Sequence, residues 1–345
     1  MNNKLTILHI LALMLCACLP MTPVMAAGIE AATSGRIAEL RDGYSFGSNS
    51  DFPVLSSASP RWDLLQIKAP EAWPVVSGGK DVVVAVLDTG IDAEHKDLKG
   101  KVLERASFTV STGWDVDRGH GTHIAGIIAG GEDSTNNVGL AYRGSLLDVK
   151  VAENDGTSDA KKVAQGILWA VEHGANVINI SIVINKPYPL LEYAVDYAWK
   201  HGCVIVAAAG NSDSDKPVYP AAYPNVIGVA GTDRNDSLAK WSNRGDWVTI
   251  SAPGVDIYST LPNNSFGYKS GTSFSAALVS GEAALLYYRA VDLNHNSWVN
   301  DEVRDTIIGN YDKSANGLVP ARRINVYKAA LSIQADEMRQ SEQEH

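Results

Sequence analysis

Hydrophobic and polar positions along the middle of the chain follow two periods in turn. Residues 81–87 form an almost unbroken apolar run rich in β-branched side chains, the pattern of a strand covered on both faces of a parallel sheet. Val163, Ala164, Ile167, Leu168 and Val171 recur at helical spacing behind Ser158 or Asp159, either of which can cap the first turn. His173-Gly174 ends that helix, and residues 176–182 read as the next strand. The same grammar repeats at once. A helix through Leu191, Ala194, Val195 and Ala198 stops at His201-Gly202, and residues 203–208 form a strand. Further strands are predicted at 226–230 and 247–251. Strands alternating with helices predict the α/β class, three layers α/β/α around a mainly parallel twisted sheet. Nothing breaks the alternation, so a single domain over residues 60–335 is expected.

The ends differ in character. Lys4 precedes an apolar run over residues 5–15 that is too short to span a bilayer comfortably, and small residues offer a cleavage site at Ala26 or Ala27. Residues 1–27 are therefore read as an export signal. Leu15-Cys16-Ala17-Cys18 admits another reading, a lipoprotein signal with Cys18 carrying the lipid. Residues 28–59, rich in Ser, Gly, Ala and Asn, suit a short propeptide or linker, and residues 336–345 a polar tail. No other stretch is long and apolar enough to cross a membrane. The expected location is outside the cell or in its envelope, lipid-anchored if Cys18 is modified.

Composition narrows the partners. Lys and Arg total 29 against 39 Asp and Glu, a net charge of −10 that argues against nucleic acid or an anionic membrane surface as the main partner. With 45% hydrophobic and 20% charged residues the chain reads as globular, not disordered or coiled-coil. Cys16 and Cys18 fall in the leader and leave Cys203 alone, so a disulfide framework within one chain is excluded. A monomer is expected.

Three segments place reactive side chains at the ends of predicted elements. Asp88 stands where the first strand ends, in Leu87-Asp88-Thr89-Gly90. His120 opens Gly119-His120-Gly121-Thr122-His123, before a helix of small and apolar residues. Ser273 lies in Ser270-Gly271-Thr272-Ser273, at the start of an apolar helix over residues 274–286. Singly, each has a bland reading: a turn-forming Asp, a structural histidine at 120 or 123, a helix-capping Ser. The glycines around His120 lack the spacing of a phosphate loop. Together, acid, imidazole and hydroxyl at the edges of one sheet are the parts of nucleophilic acyl transfer.

VAVLDTGID (84–92), GHGTHIAGIIAG (119–130), VAAAGN (206–211) and SGTSFSA (270–276) resemble the signatures of the subtilisin family of serine proteases, and within it the thermitase-like members. The resemblance extends from Trp62 to Asn325. It implies the subtilisin-like fold and an endopeptidase acting on polypeptides through an acyl-enzyme, with an Asp88-His120-Ser273 triad; the chain order Asp, His, Ser is that of subtilisin itself. It implies an oxyanion hole from the Asn211 side chain and the Ser273 backbone N–H, and substrate contacts from Ser181, Ile182, Val183, Gly156, Ala208 and Gly210. No cofactor is needed for catalysis on this reading. A structural calcium is implied at Asp97 and Asn136, with Asp51 as a third ligand, although the loop after Gly139 is short and lacks the family's Ala-Pro.

Three departures stand out against the family pattern. The stretch before the catalytic domain is too short for the usual folded inhibitory prodomain. Ala277 replaces a proline four residues after Ser273. Val183 replaces the glycine that ends the family's Ser-Leu-Gly substrate strand, which implies a narrowed pocket. Two other functions remain open on the same residues: a peptide ligase or transpeptidase, in which an amine intercepts the acyl-enzyme, and a non-catalytic binding protein.

Overall fold

The apolar run at 81–87 becomes β1 (Val83–Asp88), an inner strand of the sheet in a computed structural model that describes residues 52–53, 55–115, 117–131, 137–313 and 322–343. Ahead of it lie two short helices, α1 (Trp62–Gln66) and α2 (Ala69–Ala72). After it come β2 (Val102–Ser107), α3 (His120–Ala129), β3 (Ser145–Lys150), α4 (Ala160–Glu172), β4 (Val177–Ile180), α5 (Pro189–Lys200), β5 (Val204–Ala208) and β6 (Val226–Thr232). The chain continues through β7 (Ile250–Pro253), the hairpin β8 (Ile257–Leu261) and β9 (Ser265–Lys269), α6 (Thr272–Tyr287), α7 (Asn300–Gly309), β10 (Tyr311–Lys313), β11 (Arg322–Ile324) and α8 (Val326–Gln343).

Among the described residues the main sheet has nine strands in the order β10-β11-β7-β6-β5-β4-β1-β3-β2. All neighbours are parallel except β10 and β11. Alternation along β1 divides the core. Val84 and Val86 pack with α3, α6 and α8, whereas Ala85 and Leu87 pack with α4 and α5 on the other face. Three layers, α/β/α, result. Asp159 caps α4 as its side chain suggests, accepting from the N–H groups of Lys161 and Lys162, both at 2.9 Å. Every residue of α6 from Thr272 to Leu286 is buried, as a helix at the centre of a layer requires.

Three features differ from the sequence expectation. The strand predicted at 247–251 begins later, at Ile250. Trp247 instead donates its indole N–H to the Asp215 carbonyl at 2.9 Å, and Val248 N–H closes a turn on Gly245 O at 3.0 Å. The polar residues from 336 continue α8 to Gln343, with Ala329, Ala330 and Ile333 on its buried side, so no break falls at 335. β2, β3 and the β8–β9 hairpin were not expected. The leader with Cys18, residues 28–51 of the propeptide or linker read over 28–59, including Asp51, and Asn136 lie outside the described residues. Among the described residues no helix is long and apolar enough to cross a membrane.

Candidate functional site

Parallel strands bring their carboxyl ends to one edge of the sheet, where an open α/β fold makes its crevice. β1 ends there in Asp88, β4 in Ile180 and β5 in Ala208. The helices α3 and α6 start at the same edge with His120 and Thr272. α3 can lie this close because residue 121 is glycine: a Cβ there would sit 2.2 Å from Gly90 O and 3.2 Å from Asp88 Cβ.

Asp88 is 1% exposed. Its Oδ1 accepts from His120 Nδ1 at 2.8 Å, from Thr89 N–H at 2.8 Å and faces Thr89 Oγ1 at 3.1 Å. A donor at Nδ1 leaves Nε2 of His120 as the imidazole's acceptor. Burial alone pulls the His120 pKa down, but the charge of Asp88 and its hydrogen bond, helped by Asp115, lift it above the ordinary imidazole value, against the opposing charge of Lys269. His123 is different. Burial drives its pKa down to about 3 and its Nε2 meets Gly267 O at 3.2 Å, so the second histidine of the motif is the bland, structural one.

Ser273 is 7% exposed and second in α6. The ring of Phe274, the next residue, lies 5.4 Å from the His120 ring, centroid to centroid. Asn211 reaches the same turn. Its Oδ1 accepts from Thr272 N–H at 2.9 Å and Thr272 Oγ1 at 3.0 Å, and that hydroxyl in turn accepts from Gly210 N–H at 2.9 Å. With Oδ1 engaged, the Asn211 amide offers its NH₂ beside the start of α6, where first-turn N–H groups and the helix dipole favour developing negative charge. Ser181 Oγ donates to Ser273 O at 3.4 Å. The structure thus joins Asp88 to His120 directly. It brings Ser273 and Asn211 to the same place through Phe274 and Thr272, with no hydrogen bond between His120 and Ser273 Oγ among the described residues.

The expected substrate contacts separate into two groups. Past Ile180 the β4 ladder stops, and Ser181, Ile182 and Val183 run on as open backbone until Ile184 bridges to Tyr219. Val183 is 38% exposed. Its Cγ2 lies 3.4 Å from where a Cβ on Gly210 would stand. Gly210 has φ +96°, and that same Cβ would meet Asn243 Nδ2 at 2.6 Å, so only glycine fits. Ala208 is buried at the end of β5. Gly156, φ +86°, sits apart on a turn closed by Gly156 N–H to Glu153 O at 2.8 Å, where a Cβ would lie 3.5 Å from the Arg118 side chain.

For calcium the described residues supply one buried carboxylate. Asp97 Oδ2 accepts from Asn137 Nδ2 at 3.3 Å, and among the described residues no three His, Cys, Asp or Glu side chains converge as ligands. Calcium takes six to eight oxygens, so the fit of this corner rests on carbonyls and on the adjoining loop. Cys203 is buried with its Sγ 3.0 Å from Ala175 O, and burial lifts its pKa to about 12, an inert thiol.

Sequence reasoning missed Asp115. It is 1% exposed and accepts from Thr89 Oγ1, His120 N–H and Thr122 N–H. The signal available was an acid in the Asp115–Arg118 approach to His120, without an apolar pattern to mark it as buried.

Comparison with known proteins bears on the family and the fold. The family model for Peptidase_S8, the subtilase family, matches residues 79–323. A thermophilic serine proteinase of Bacillus sp. (strain AK1) is 40% identical over 75% of this chain, which spans 64% of that protein's length. Thermitase of Thermoactinomyces vulgaris is 39% identical over 76% of this chain and 93% of its own. Among solved structures, the protease domain of PatA, determined as a serine-to-alanine mutant, superposes with a TM-score of 0.68 at 30% identity, covering 76% of this chain and 98% of that one.

Proposed function

Since the chain belongs to the subtilase family and is a subtilisin-like serine endopeptidase, we propose that it is exported and cuts polypeptides through an acyl-enzyme formed on Ser273. Ser273 Oγ attacks the scissile carbonyl while His120 Nε2 takes its proton; His120 then gives that proton to the leaving amine. Asp88 fixes the tautomer and supports the imidazolium. The Asn211 NH₂ and the Ser273 N–H receive the oxyanion. Ser181, Ile182 and Val183 pair with the substrate backbone beside Ala208 and Gly210, and Gly156 borders the cleft from the Arg118 side.

The observation that carries this reading is the 2.8 Å contact between Asp88 and His120 beside the helix that starts at Thr272 and Ser273. The test is paired. A fluorophosphonate probe labels the wild type at Ser273, and Ser273→Ala loses both labelling and peptide-ester turnover while keeping its melting temperature. Wild-type turnover in Ser273→Ala ends the protease reading, and an unlabelled wild type leaves the non-catalytic binding protein.

A transpeptidase reading draws on Ala277, which is buried in an unbroken α6. An alanine there keeps the N–H that proline lacks. Partition of the acyl-enzyme between water and an added amine decides between the two. We further propose a monomer, a leader over 1–27, a short propeptide or linker over 28–59, and secretion or attachment to the envelope through Cys18. A calcium held by Asp97 and Asn136 would stabilise the fold and take no part in the chemistry.

A further inference from the structure

We propose that Asp115 is a positioning residue for His120: its carboxylate clamps the first turn of α3 and, through Thr89, whose hydroxyl it holds and whose backbone N–H reaches Asp88, ties that turn to Asp88. The inference rests on His120 acting as the base. Gly119 precedes α3 with φ +59° and brings no side chain to cap it. Helix N-termini leave their first N–H groups without partners. Asp115 supplies them from outside the helix. Its Oδ1 accepts His120 N–H at 3.0 Å and its Oδ2 accepts Thr122 N–H at 2.8 Å. Oδ1 also faces Thr89 Oγ1 at 2.5 Å, and Asp115 N–H returns to Thr89 O at 3.1 Å.

Thr89 is the link. Its Oγ1 lies 3.1 Å from Asp88 Oδ1 and accepts Gly121 N–H at 3.2 Å. One hydroxyl has one proton, and the shorter contact gives it to Asp115. Asp88 is served instead by Thr89 N–H and by His120. Both acids thus grip residues 120–122, one through the ring and one through the backbone. Asp115 holds a non-glycine left-handed conformation, φ +56°, a strain that the surrounding contacts overcome.

Charge adds a second effect. When His120 takes the Ser273 proton, a carboxylate behind the helix start favours the imidazolium, and Asp115 is among the groups that raise the His120 pKa. Facing Asp115 are Asp88 from β1 and Asp148 and Lys150 from β3; Lys150 Nζ donates to Thr89 O at 2.7 Å. Glu153 faces Lys150 beyond them, and Lys269 of β9 faces His120. Burial raises the pKa of Asp115 itself, opposed by its bonds from Thr122 and Thr89.

A mere helix cap and a positioning carboxylate differ in one readout, the acid limb of kcat/KM against pH. Asp115→Asn keeps the shape and removes the charge. The expected result is a loss of about 10- to 100-fold in kcat/KM, with KM little changed and the acid limb moved down by about half a unit or more. Asp115→Glu, which keeps the charge, should hold the limb at its wild-type position even where the rate falls. A slower Asp115→Asn enzyme whose limb has not moved overturns the inference. Should Asp115→Asn fail to fold, Asp115→Ser gives the same reading: it removes the carboxylate outright, so the limb moves down, and an unmoved limb there overturns the inference equally. A wild type that neither turns over peptide nor takes a fluorophosphonate refutes the proposed function instead, a different outcome from an unmoved limb.

Discussion

Glu282 offers a measurable test of how α6 is built. It lies in the second half of that helix at 0% exposure, and neither carboxyl oxygen has a hydrogen-bond partner among the described residues. Burial raises its pKa well above the ordinary 4.5. The folded protein therefore holds this side chain neutral while the unfolded chain ionises it. A folded pKa above the unfolded one costs nothing below about pH 4.5 and costs about 1.4 kcal/mol for each pH unit above it, until the folded pKa is reached. Glu282→Met keeps a long unbranched side chain with good helix propensity and deletes the polar atoms. Near pH 5, where the ionisation cost is still small, removing one unsatisfied buried polar group should stabilise by about 1–3 kcal/mol, or roughly 2–10 °C in a domain of this size. The assay is calorimetry of Ser273→Ala with and without Glu282→Met, the alanine suppressing self-digestion, over about pH 5 to 9. The gain should widen as pH rises. A variant less stable than its parent, or a gain independent of pH, would mean that the carboxylate is paired, and the reasoning would fall.

Four further outcomes are expected. Asn211→Leu should lower kcat by about 100- to 1000-fold, a magnitude taken from removal of such a donor in subtilisin itself; a loss under about threefold would take Asn211 out of the oxyanion hole. Because the His120 pKa is raised, activity should climb as the ring loses its proton, with a midpoint above the ordinary 6.5, and an acidic optimum would count against His120 as base. If Val183 lines the substrate pocket beside Gly210 as proposed, the wild type should prefer Ala or Gly before the cut by about 10- to 200-fold over Phe, and Val183→Gly should relax that; best cleavage after Phe or Leu by both proteins contradicts the pocket argument. If an ion is held at Asp97, a chelator should lower the melting temperature, whereas an unchanged melt with no metal by elemental analysis removes calcium from the account.

The elements legible in the sequence are those whose buried positions are apolar in period, with any charges confined to the exposed face or the ends. β1, α4, β4, α5 and β5 follow an apolar period, with Asp159 and the glycines after His173 and His201 marking the ends. β3 shows no such pattern, because Asp148 and Lys150 interrupt Ser145–Lys150. Both are buried all the same, since each finds a partner far along the chain: Arg105 Nη2 stands 2.7 Å from Asp148 Oδ2, and Lys150 Nζ 2.7 Å from Thr89 O. Burial of charge depends on tertiary pairing, which a local period does not encode. The β8–β9 hairpin did leave a local sign. Asn263 and Asn264 both take positive φ, at 61° and 58°, the conformation that asparagine tolerates in tight turns.

The site divides along the same line. Asp88, His120 and Ser273 were readable because parallel strands and the helices that follow them present such residues at one sheet edge, and each stood at an element boundary. What holds them there was not readable. Thr89, just past β1, and Asp115, in the loop before α3, meet across 26 residues, and Asn211, just past β5, meets Thr272 in the first turn of α6 across 61. The two clamps are alike in kind. α3 and α6 each follow a glycine that gives no side-chain cap, and each first turn is held by an oxygen from elsewhere, Asp115 for one and Asn211 for the other. With no side chain on the glycine before either helix, an oxygen from outside the helix, five residues ahead for α3 and 61 for α6, satisfies N–H groups that a local cap would have taken. The starts of both helices are consequently held by groups outside them, the Asp115 loop for His120 and the end of β5 for Ser273. Substitutions at Asp115 or Asn211 should therefore disturb the geometry of attack more than they disturb the stability of α3 or α6.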